Sequence, residues 1–292
     1  MEQRIPDGVK SYDGLQLVPE ESIKLLLEKL EKDYPHSIQI CHWIQVQYMW
    51  KKNIPDLEID ILSPRGDWNT DIVIALGRKL ELCDQIFATV YAREGTEELL
   101  KSLLRETKCI PWNKISRIRG VNRNVAEILK CVISEATGKE PNEFRLHMYY
   151  MPTTKAAQLE ISNIDGMDIR RLEETHTDDV CVLWSSFSES YRPVMKAVLQ
   201  YNDSVGVFLG ERLVSMVLEA EYGAIGSLET LPEHRRRGYG SCALRYLTRK
   251  IGQDGKIPFL HIKENNDVSL YIISKIGYLF AYPTSTILVN YK

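Results

Sequence analysis

The sequence predicts an α/β protein of two domains, and its C-terminal domain is expected to be a mixed sheet with helices on both faces. The chain has 292 residues, a length typical of two domains. In the C-terminal half, short apolar runs typical of strands alternate with helical patterns, as in a sheet covered by helices. A polar stretch over residues 151–166 separates the halves, so we place the domains at 1–155 and 156–292.

The N-terminal half has helical and strand patterns that can enclose a core of their own, so it is expected to be an α/β domain. Helices are predicted at 20–33, 96–105 and 122–138. Strands are predicted at 38–48, 59–62, 71–76, 85–91 and 145–151. The run 38–48 is assigned to a strand because it is rich in aromatic and β-branched residues and partly alternates.

The C-terminal half has the clearer order of elements. Strands are predicted at 168–172, 205–209, 213–219, 225–231, 259–263, 278–282 and 287–291. Helices are predicted at 178–187, 193–199, 240–251 and 267–276. The second and third of these strands are joined across Gly210 as a hairpin, so the sheet is expected to be mixed and largely antiparallel.

Composition excludes several classes of protein. The formal net charge is −3, which gives no chain-wide attraction to nucleic acid or to an anionic membrane. No run of about 20 apolar residues is present, so no membrane span is expected. The six cysteines form no Cys-x-x-Cys pair, so neither a metal site nor a redox motif is expected. The first residues resemble neither a signal peptide nor a transit peptide, and a cytoplasmic protein is expected.

The segment with the clearest chemistry is residues 228–241, which lead from a strand through a basic turn into a helix. Gly238 and Gly240 permit a left-handed backbone and a close approach to a ligand. The free N–H groups of the helix start favour an anion, and the run Arg235 to Arg237 adds full positive charges. The segment therefore predicts a pyrophosphate site, although a bare Gly-x-Gly is more often only a tight turn between a strand and a helix, with solvated arginines. No Gly-Lys-Ser/Thr follows, which excludes a Walker phosphate loop.

This pattern resembles the GCN5-related N-acetyltransferase (GNAT) superfamily. The spacing Arg235-x-x-Gly238-x-Gly240 after Pro232 is similar to its coenzyme A loop. The segments 265–270 and 275–278 are similar to its closing helix and strand. The resemblance covers residues 168–292 and implies the fold of that superfamily.

A second resemblance extends over the whole chain. It is to the glycine N-acyltransferase family, whose members carry an additional N-terminal domain. The similar segments are 68–74, 110–114, 148–151, 174–178, 230–235 and 261–262. One hypothesis is that the N-terminal domain is a degenerate copy of the same fold.

The resemblance implies acyl transfer from acetyl-CoA or another acyl-CoA, without a metal. The pantetheine arm would pair with backbone groups of Leu228, Glu229, Thr230 and Leu231. The pyrophosphate would be held by Arg235, Arg236, Arg237, Gly238, Tyr239, Gly240 and Ser241. Asn266 stands where the superfamily places an asparagine near the coenzyme.

The catalytic groups depart from the family pattern. The family's glutamate would fall at Ala224, and the superfamily's acid tyrosine would fall at Ile273. Glu229 and His261 are therefore the candidate proton acceptors, and Tyr271 is the candidate acid for the leaving group. The alternatives are a solvated glutamate, a hydrogen-bonded histidine within the sheet and a packing tyrosine.

The function implied is acylation of the amine of glycine or a similar small acceptor. Two alternatives stay open: acetylation of a protein or polyamine, and a coenzyme-binding module that has lost catalysis. Glu219 and Glu221 are further candidates for contacting an amine. Aromatic residues at Trp184, Phe187 and Tyr191 permit an acyl group larger than acetyl. Family members act in mitochondria, which is the alternative to a cytoplasmic location.

Overall fold

A computed structural model describes residues 13–78, 86–162 and 164–289. In the first half, the strands are β1 Leu15–Leu17, β2 Glu58–Pro64, β3 Ile72–Arg78, β4 Ile86–Ala92, β5 Ile115–Asn122 and β6 Asn142–Tyr150. In the second half, they are β7 Asp168–Arg170, β8 Ser204–Leu209, β9 Arg212–Glu219, β10 Ile225–Thr230, β11 Phe259–Lys263 and β12 Leu279–Leu288. The helices are α1 Ile23–Leu30, α2 Ile38–Lys51, α3 Glu97–Glu106, α4 Arg123–Thr137, α5 Thr153–Ala157, α6 Thr177–Leu183, α7 Arg192–Tyr201, α8 Tyr239–Gln253 and α9 Asp267–Ile276.

The described strands form one sheet that is mixed and mostly antiparallel, which confirms the predicted fold class. Its order is β1-β2-β3-β4-β5-β12-β6-β11-β10-β9-β8-β7. Two adjacent pairs are parallel, β4 with β5 and β10 with β11, and each is joined by a helix. A helical crossover of this kind is the usual way to connect parallel neighbours.

The two halves have the same order of elements. Each runs strand, two helices, three strands, helix, strand, helix, strand, and α5 connects them. Each strand of the first half has a counterpart in the second half, β1 with β7, β2 with β8 and so on. When every strand is exchanged for its counterpart, the order of the sheet becomes the same order read in reverse. The final strands are exchanged, because β6 pairs with β11 and β12 pairs with β5. The hypothesis of a second copy of the fold is therefore supported by strand order.

The domain boundary at residues 155 and 156 stays a prediction. It falls within α5, while the sheet continues from one half to the other through the pair β6–β12. The two halves therefore share a hydrogen-bonded ladder in addition to side-chain contacts.

The strand predicted at 38–48 is wrong, because these residues form α2. This helix is covered on all sides, with Ile38, Gln39, His42, Trp43 and Ile44 all buried. A helix with no solvent face loses the 3.6-residue apolar spacing by which helices are recognised, and its branched and aromatic residues then resemble a strand.

Other differences from the predicted elements are smaller. The strands predicted at 278–282 and 287–291 are one strand, β12, with a register shift between Phe280 and Tyr282. Strand β5 was not predicted. The predicted strand ends at residues 85, 290 and 291 lie outside the described residues.

Helices α2 and α8 fix the positions of neighbouring elements in the second half of the chain. Trp50 of α2 donates its indole N–H to Asn202 Oδ1 at 2.6 Å, and Gln47 Nε2 donates to the Glu221 carbonyl at 2.8 Å. Helix α8 packs its buried face, which includes Leu244 and Leu247, on the sheet of the second half. Burial of such side chains contributes about 1.5–3 kcal/mol each. Among the described residues, no helix is long and apolar enough to cross a membrane.

Candidate acyl-transfer site

A cleft opens where the parallel strands β10 and β11 separate. They are paired only at Ile225 and Leu260. Strand β10 then shifts its register against β9 between Gly226 and Glu229, and Ser227 has a φ of 52°. A bulge of this kind turns backbone groups out of the ladder. A cavity of about 410 Å³ lies between the diverging strands, with α9 and the segment after α6 completing its walls.

The predicted phosphate turn follows directly from β10. Pro232–His234 form one turn of 3-10 helix, and Gly238 then adopts φ 87° immediately before α8. A side chain at that φ is strained, so glycine suits the position. The first helical hydrogen bond runs from Cys242 N–H to the Gly238 carbonyl. The N–H groups at the start of α8 therefore have no partner within the helix and can bind an anion.

Positive charge surrounds this helix start. Arg235, Arg236 and Arg237 are all exposed. Arg235 Nε donates to the Thr230 carbonyl at 3.0 Å, which ties the turn to the strand. Glu233, the acidic residue nearest to these arginines in the sequence, forms an ion pair with Arg212 at 2.6 Å. The loop arginines have no ion-pair partner in the described part of the chain and are available to a phosphate.

Gly240 sets the distance between α8 and β10. A Cβ at this position would lie 3.1 Å from Thr230 Oγ1 and 3.6 Å from Leu228 Cδ1. Ser215 Oγ donates to the Glu229 carbonyl and lies 2.8 Å from Thr230 Oγ1. The helix start is thus held against the strand that lines the cavity. The side chain of Tyr239 is buried, and the centre of its ring lies 6.3 Å from that of His234 in the turn.

Glu229 lines the cavity and is half-buried. Ser185, in the segment after α6, donates its hydroxyl to Glu229 Oε1 at 2.5 Å, and both residues lie on the cavity wall. The structure therefore places Glu229 on the wall of the cleft, with its carboxylate held by Ser185.

His261 also lines the cavity, but both of its ring nitrogens are engaged. Nε2 lies 2.8 Å from Gln39 Oε1, and Nδ1 lies 3.1 Å from Thr284 Oγ1. Because the amide oxygen of Gln39 can only accept, this arrangement makes Nε2 the protonated nitrogen. Burial and the positive charge of Arg119 lower the pKa of His261 to about 3. The imidazole is therefore neutral near pH 7, with no free lone pair.

At α9, Asn266 and Ile273 line the cavity, whereas Tyr271 does not. Asn266 lines the cavity and also caps α9 by accepting from Ser269 N–H at 3.1 Å. Ile273 lines the cavity where the superfamily's acid would fall. Tyr271 is 65% exposed and does not line the cavity, so the structure does not bring it to Glu229 and His261.

Sequence reasoning missed a buried charged cluster next to the cleft. Arg119 of β5 lines the cavity, and its Nη2 lies 2.9 Å from Glu221 Oε1. Tyr191 donates its hydroxyl to Glu221 Oε2 at 2.5 Å, and the Arg119 guanidinium lies 4.6 Å from the ring centre of Tyr222. Burial and the Glu221 carboxylate raise the pKa of Tyr191, so the phenol stays protonated. The available signal was the pair Arg117 and Arg119 at alternate positions, flanked at the same spacing by Ile115 and Val121.

Two other acidic candidates are placed outside the cleft or are already paired. Glu221 is 1% exposed, and its carboxylate already contacts Arg119 and Tyr191. Glu219 is buried, accepts from Asp203 N–H at 3.2 Å and does not line the cavity. Ala224, where the family's glutamate would fall, is fully buried in a small apolar cluster.

Comparison with known proteins identifies the fold. Residues 204–286 match the family model described as FR47-like protein. A Drosophila protein of known structure superposes with a TM-score of 0.82 at 18% identity, over 95% of this chain and 99% of its own. A putative acetyltransferase from Pyrococcus horikoshii gives 0.56 at 11% identity, over 100% and 94%. A tandem GNAT protein from the clavulanic acid biosynthesis pathway gives 0.52 at 9% identity, over 95% and 99%.

A search of curated proteins found no match to the sequence. The structural likeness and the family model show that the chain has the GNAT acetyltransferase fold, in an arrangement that fits a tandem protein. The resemblance to that superfamily is thereby confirmed at the level of the fold. The closer resemblance, to the glycine N-acyltransferases, stays a prediction.

Proposed function

We propose that the protein is an N-acyltransferase that moves an acyl group from a coenzyme A thioester to the amine of a small acceptor. The observation that carries the proposal is that a candidate phosphate site lies directly beside a cleft. A helix start whose first N–H groups have no partner within the helix, with three arginines that form no ion pair among the described residues, lies at the end of the strand that lines the cleft. A pyrophosphate and its pantetheine arm need these two features side by side.

The coenzyme-binding residues are assigned from this arrangement. N–H groups from Gly238 to Ser241 bind the pyrophosphate, and Arg235, Arg236 and Arg237 add charge that raises affinity and association rate. The backbone of Leu228 to Leu231 pairs with the pantetheine amides, and Asn266 lies on the opposite wall.

Glu229 is the proton acceptor in this proposal. The amine nitrogen attacks the thioester carbon, its proton passes to the Glu229 carboxylate, and the C–S bond breaks as the amide forms. Ser185 occupies one carboxylate oxygen and leaves the other for the amine. A backbone N–H at the bulge near Leu228 faces the oxyanion, a contribution of about 3 kcal/mol in comparable sites.

The leaving group needs no acid in this scheme. A thiol has a pKa of about 8.5, so the coenzyme can depart as a thiolate and take up a proton afterwards. This is consistent with apolar Ile273 on the wall and with the exposed position of Tyr271. His261 then acts as a neutral wall residue: Gln39 and Thr284 engage both of its ring nitrogens, so it does not take the proton of the amine.

The acceptor is proposed to be a small amine that also carries a carboxylate, such as glycine. Arg119 lines the cavity, and its buried Nε has no hydrogen-bond partner among the residues that the structure describes. A carboxylate satisfies such a donor, whereas the cationic chain of a polyamine is repelled by it. Trp184 lines the same cavity and leaves room for an acyl group larger than acetyl.

A second candidate function is binding of coenzyme A without turnover. It is favoured by Ala224 and Ile273, which are apolar where the resemblance calls for catalytic groups. It predicts the same coenzyme affinity and no product.

A thiol-release assay separates these functions. Acetyl-CoA and benzoyl-CoA are each incubated with glycine, spermidine and a lysine peptide, and free thiol is followed over time. Release that depends on glycine supports the proposal. Release only with spermidine or peptide transfers the function to another acceptor class, and absence of release with every pair contradicts an acyltransferase acting on these donors.

A further inference from the structure

The N-terminal half contains a second cleft at the position that repeats the first. Strands β4 and β5 are parallel and paired from Ile86 with Ile115 to Ala88 with Ile118, and then separate. A cavity of about 530 Å³ opens between their ends, bordered by Tyr91 and Gly120. In the repeated order of elements, β4, α3 and β5 correspond to β10, α8 and β11.

The charge at this second cleft is opposite to that at the first. The turn before α3 carries Glu94, and α3 begins with Glu97; both line the cavity. Neither carboxylate has an ion-pair partner within residues 13–78, 86–162 and 164–289. Arg93, also on the rim, lies 3.9 Å from Asp33 and 3.8 Å from Asp71. The negative charges of Glu94 and Glu97 offset the partial positive charge at the start of α3 and repel a pyrophosphate. The charge at this cleft therefore favours a cation as ligand.

The inner wall of the cleft has an unsatisfied hydrogen-bond donor. Gln39 is 3% exposed and lines the cavity. Its Oε1 is engaged with His261, while its buried Nε2 has no partner in the described part of the chain. Buried amide groups almost always form hydrogen bonds, so we expect a bound ligand to provide an acceptor for this nitrogen. Nearby, the ring of His36 stacks on Tyr282 with 5.2 Å between ring centres and adds a flat apolar wall.

We propose that this N-terminal cleft binds a small organic cation, a primary ammonium compound that also carries a carbonyl or hydroxyl oxygen. The ammonium group lies between Glu94 and Glu97, and the oxygen accepts from Gln39 Nε2. The aromatic wall of His36 and Tyr282 covers the ligand's apolar part. This site is separate from the acyl-transfer cleft and needs no coenzyme.

Gln39 connects the two clefts. Gly120 lines both cavities, and a Cβ there would lie 2.4 Å from Gln39 Oε1 and 3.0 Å from His261 Nε2. The absent side chain therefore leaves room for the hydrogen bond between Gln39 and His261. A ligand bound to Gln39 Nε2 fixes the orientation of the amide, and with it the protonated nitrogen of His261.

The test is a titration with L-lysinamide, which has two ammonium groups and one carbonyl, followed by calorimetry and by ¹⁵N NMR of the histidine rings. Wild type is compared with the double variant Glu94→Gln/Glu97→Gln. The matched control is Glu98→Gln/Glu106→Gln, which also removes two negative charges, both from α3 and both outside the cavity. Thermal unfolding of each variant establishes that it is folded.

We expect saturable binding, a shift of the His261 ring signals, and about tenfold weaker affinity in the first variant alone, since two partly exposed charge contacts are lost. Absence of saturable binding in wild type overturns the proposal. Equal loss in both double variants also overturns it, because general charge attraction then explains the binding. No coenzyme or turnover is involved, so failure of the transferase proposal leaves this result unaffected.

Discussion

Replacement of Glu221 by glutamine tests the buried ion pair beside the acyl-transfer cleft. Glu221 is 1% exposed, and its partner Arg119 keeps 18% of its side chain exposed at a separation of 2.9 Å. Breaking a buried pair by removing one charge typically costs about 3–5 kcal/mol, because the other charge stays buried. Glutamine keeps the volume and can still accept from Tyr191, and Arg119 keeps its contact with the Tyr222 ring. These residual contacts place the expected loss near the lower limit, at about 3 kcal/mol.

Urea unfolding of wild type and Glu221→Gln measures this loss. The control is Glu233→Gln, which breaks the ion pair with Arg212 on the surface, where the two side chains are 52% and 60% exposed. A surface pair contributes about 0–1 kcal/mol. If Glu221→Gln costs no more than Glu233→Gln, then water reaches Arg119 freely, and the account of a desolvated cluster at the cavity wall is refuted.

Three further predictions concern catalysis, pH and coenzyme binding. Glu229→Gln is expected to lower kcat by about 10²- to 10⁴-fold through loss of the proton acceptor. Ser185→Ala should have a much smaller effect, and equal losses would contradict the assigned role. Burial holds the pKa of both His42 and His261 to about 3, below the ordinary value of 6.5. The unfolded chain therefore binds more protons below pH 6.5, and stability should fall as pH decreases from 6.5 towards 3, by at most about 1.4 kcal/mol per unit for each histidine. Urea midpoints that do not change between pH 7 and 5 would contradict the buried, neutral histidines. Arg236→Ala/Arg237→Ala should weaken acetyl-CoA binding and reduce its salt dependence, because neither side chain has an ion-pair partner within the described ranges and both can pair with phosphate. Arg249→Ala on the later part of α8 is the control, and an equal loss there would assign the effect to net charge.

The geometry of the turn between β10 and α8 could be predicted because it depends on local sequence. Gly238 must adopt a left-handed backbone, Gly240 must approach Thr230, and the arginines are adjacent in the chain. Features of this kind require no knowledge of distant residues.

The missed features depend on contacts between distant residues. Strand β5 contains Arg119, whose charge argues against a buried strand until its partner Glu221 is known. The exchange of β6 and β12 between the halves leaves no mark on either strand's own sequence. The hydrogen bond from His261 to Gln39 joins residues 222 positions apart and changes the interpretation of the histidine from a base to a held neutral ring. Helix α2 was mistaken for a strand because burial on every side removed its periodicity.

Calorimetric titration of wild type and Gly240→Trp with acetyl-CoA and benzoyl-CoA tests the central claim most directly. A side chain at Gly240 points toward Thr230 and Leu228, into the junction of helix start and cleft. Near-UV circular dichroism is recorded in parallel to establish that the variant keeps its tertiary packing. We predict saturable binding of at least one thioester to wild type and none to a folded Gly240→Trp. Absence of binding of both thioesters to wild type, or undiminished binding to the folded variant, would contradict a coenzyme site at this turn.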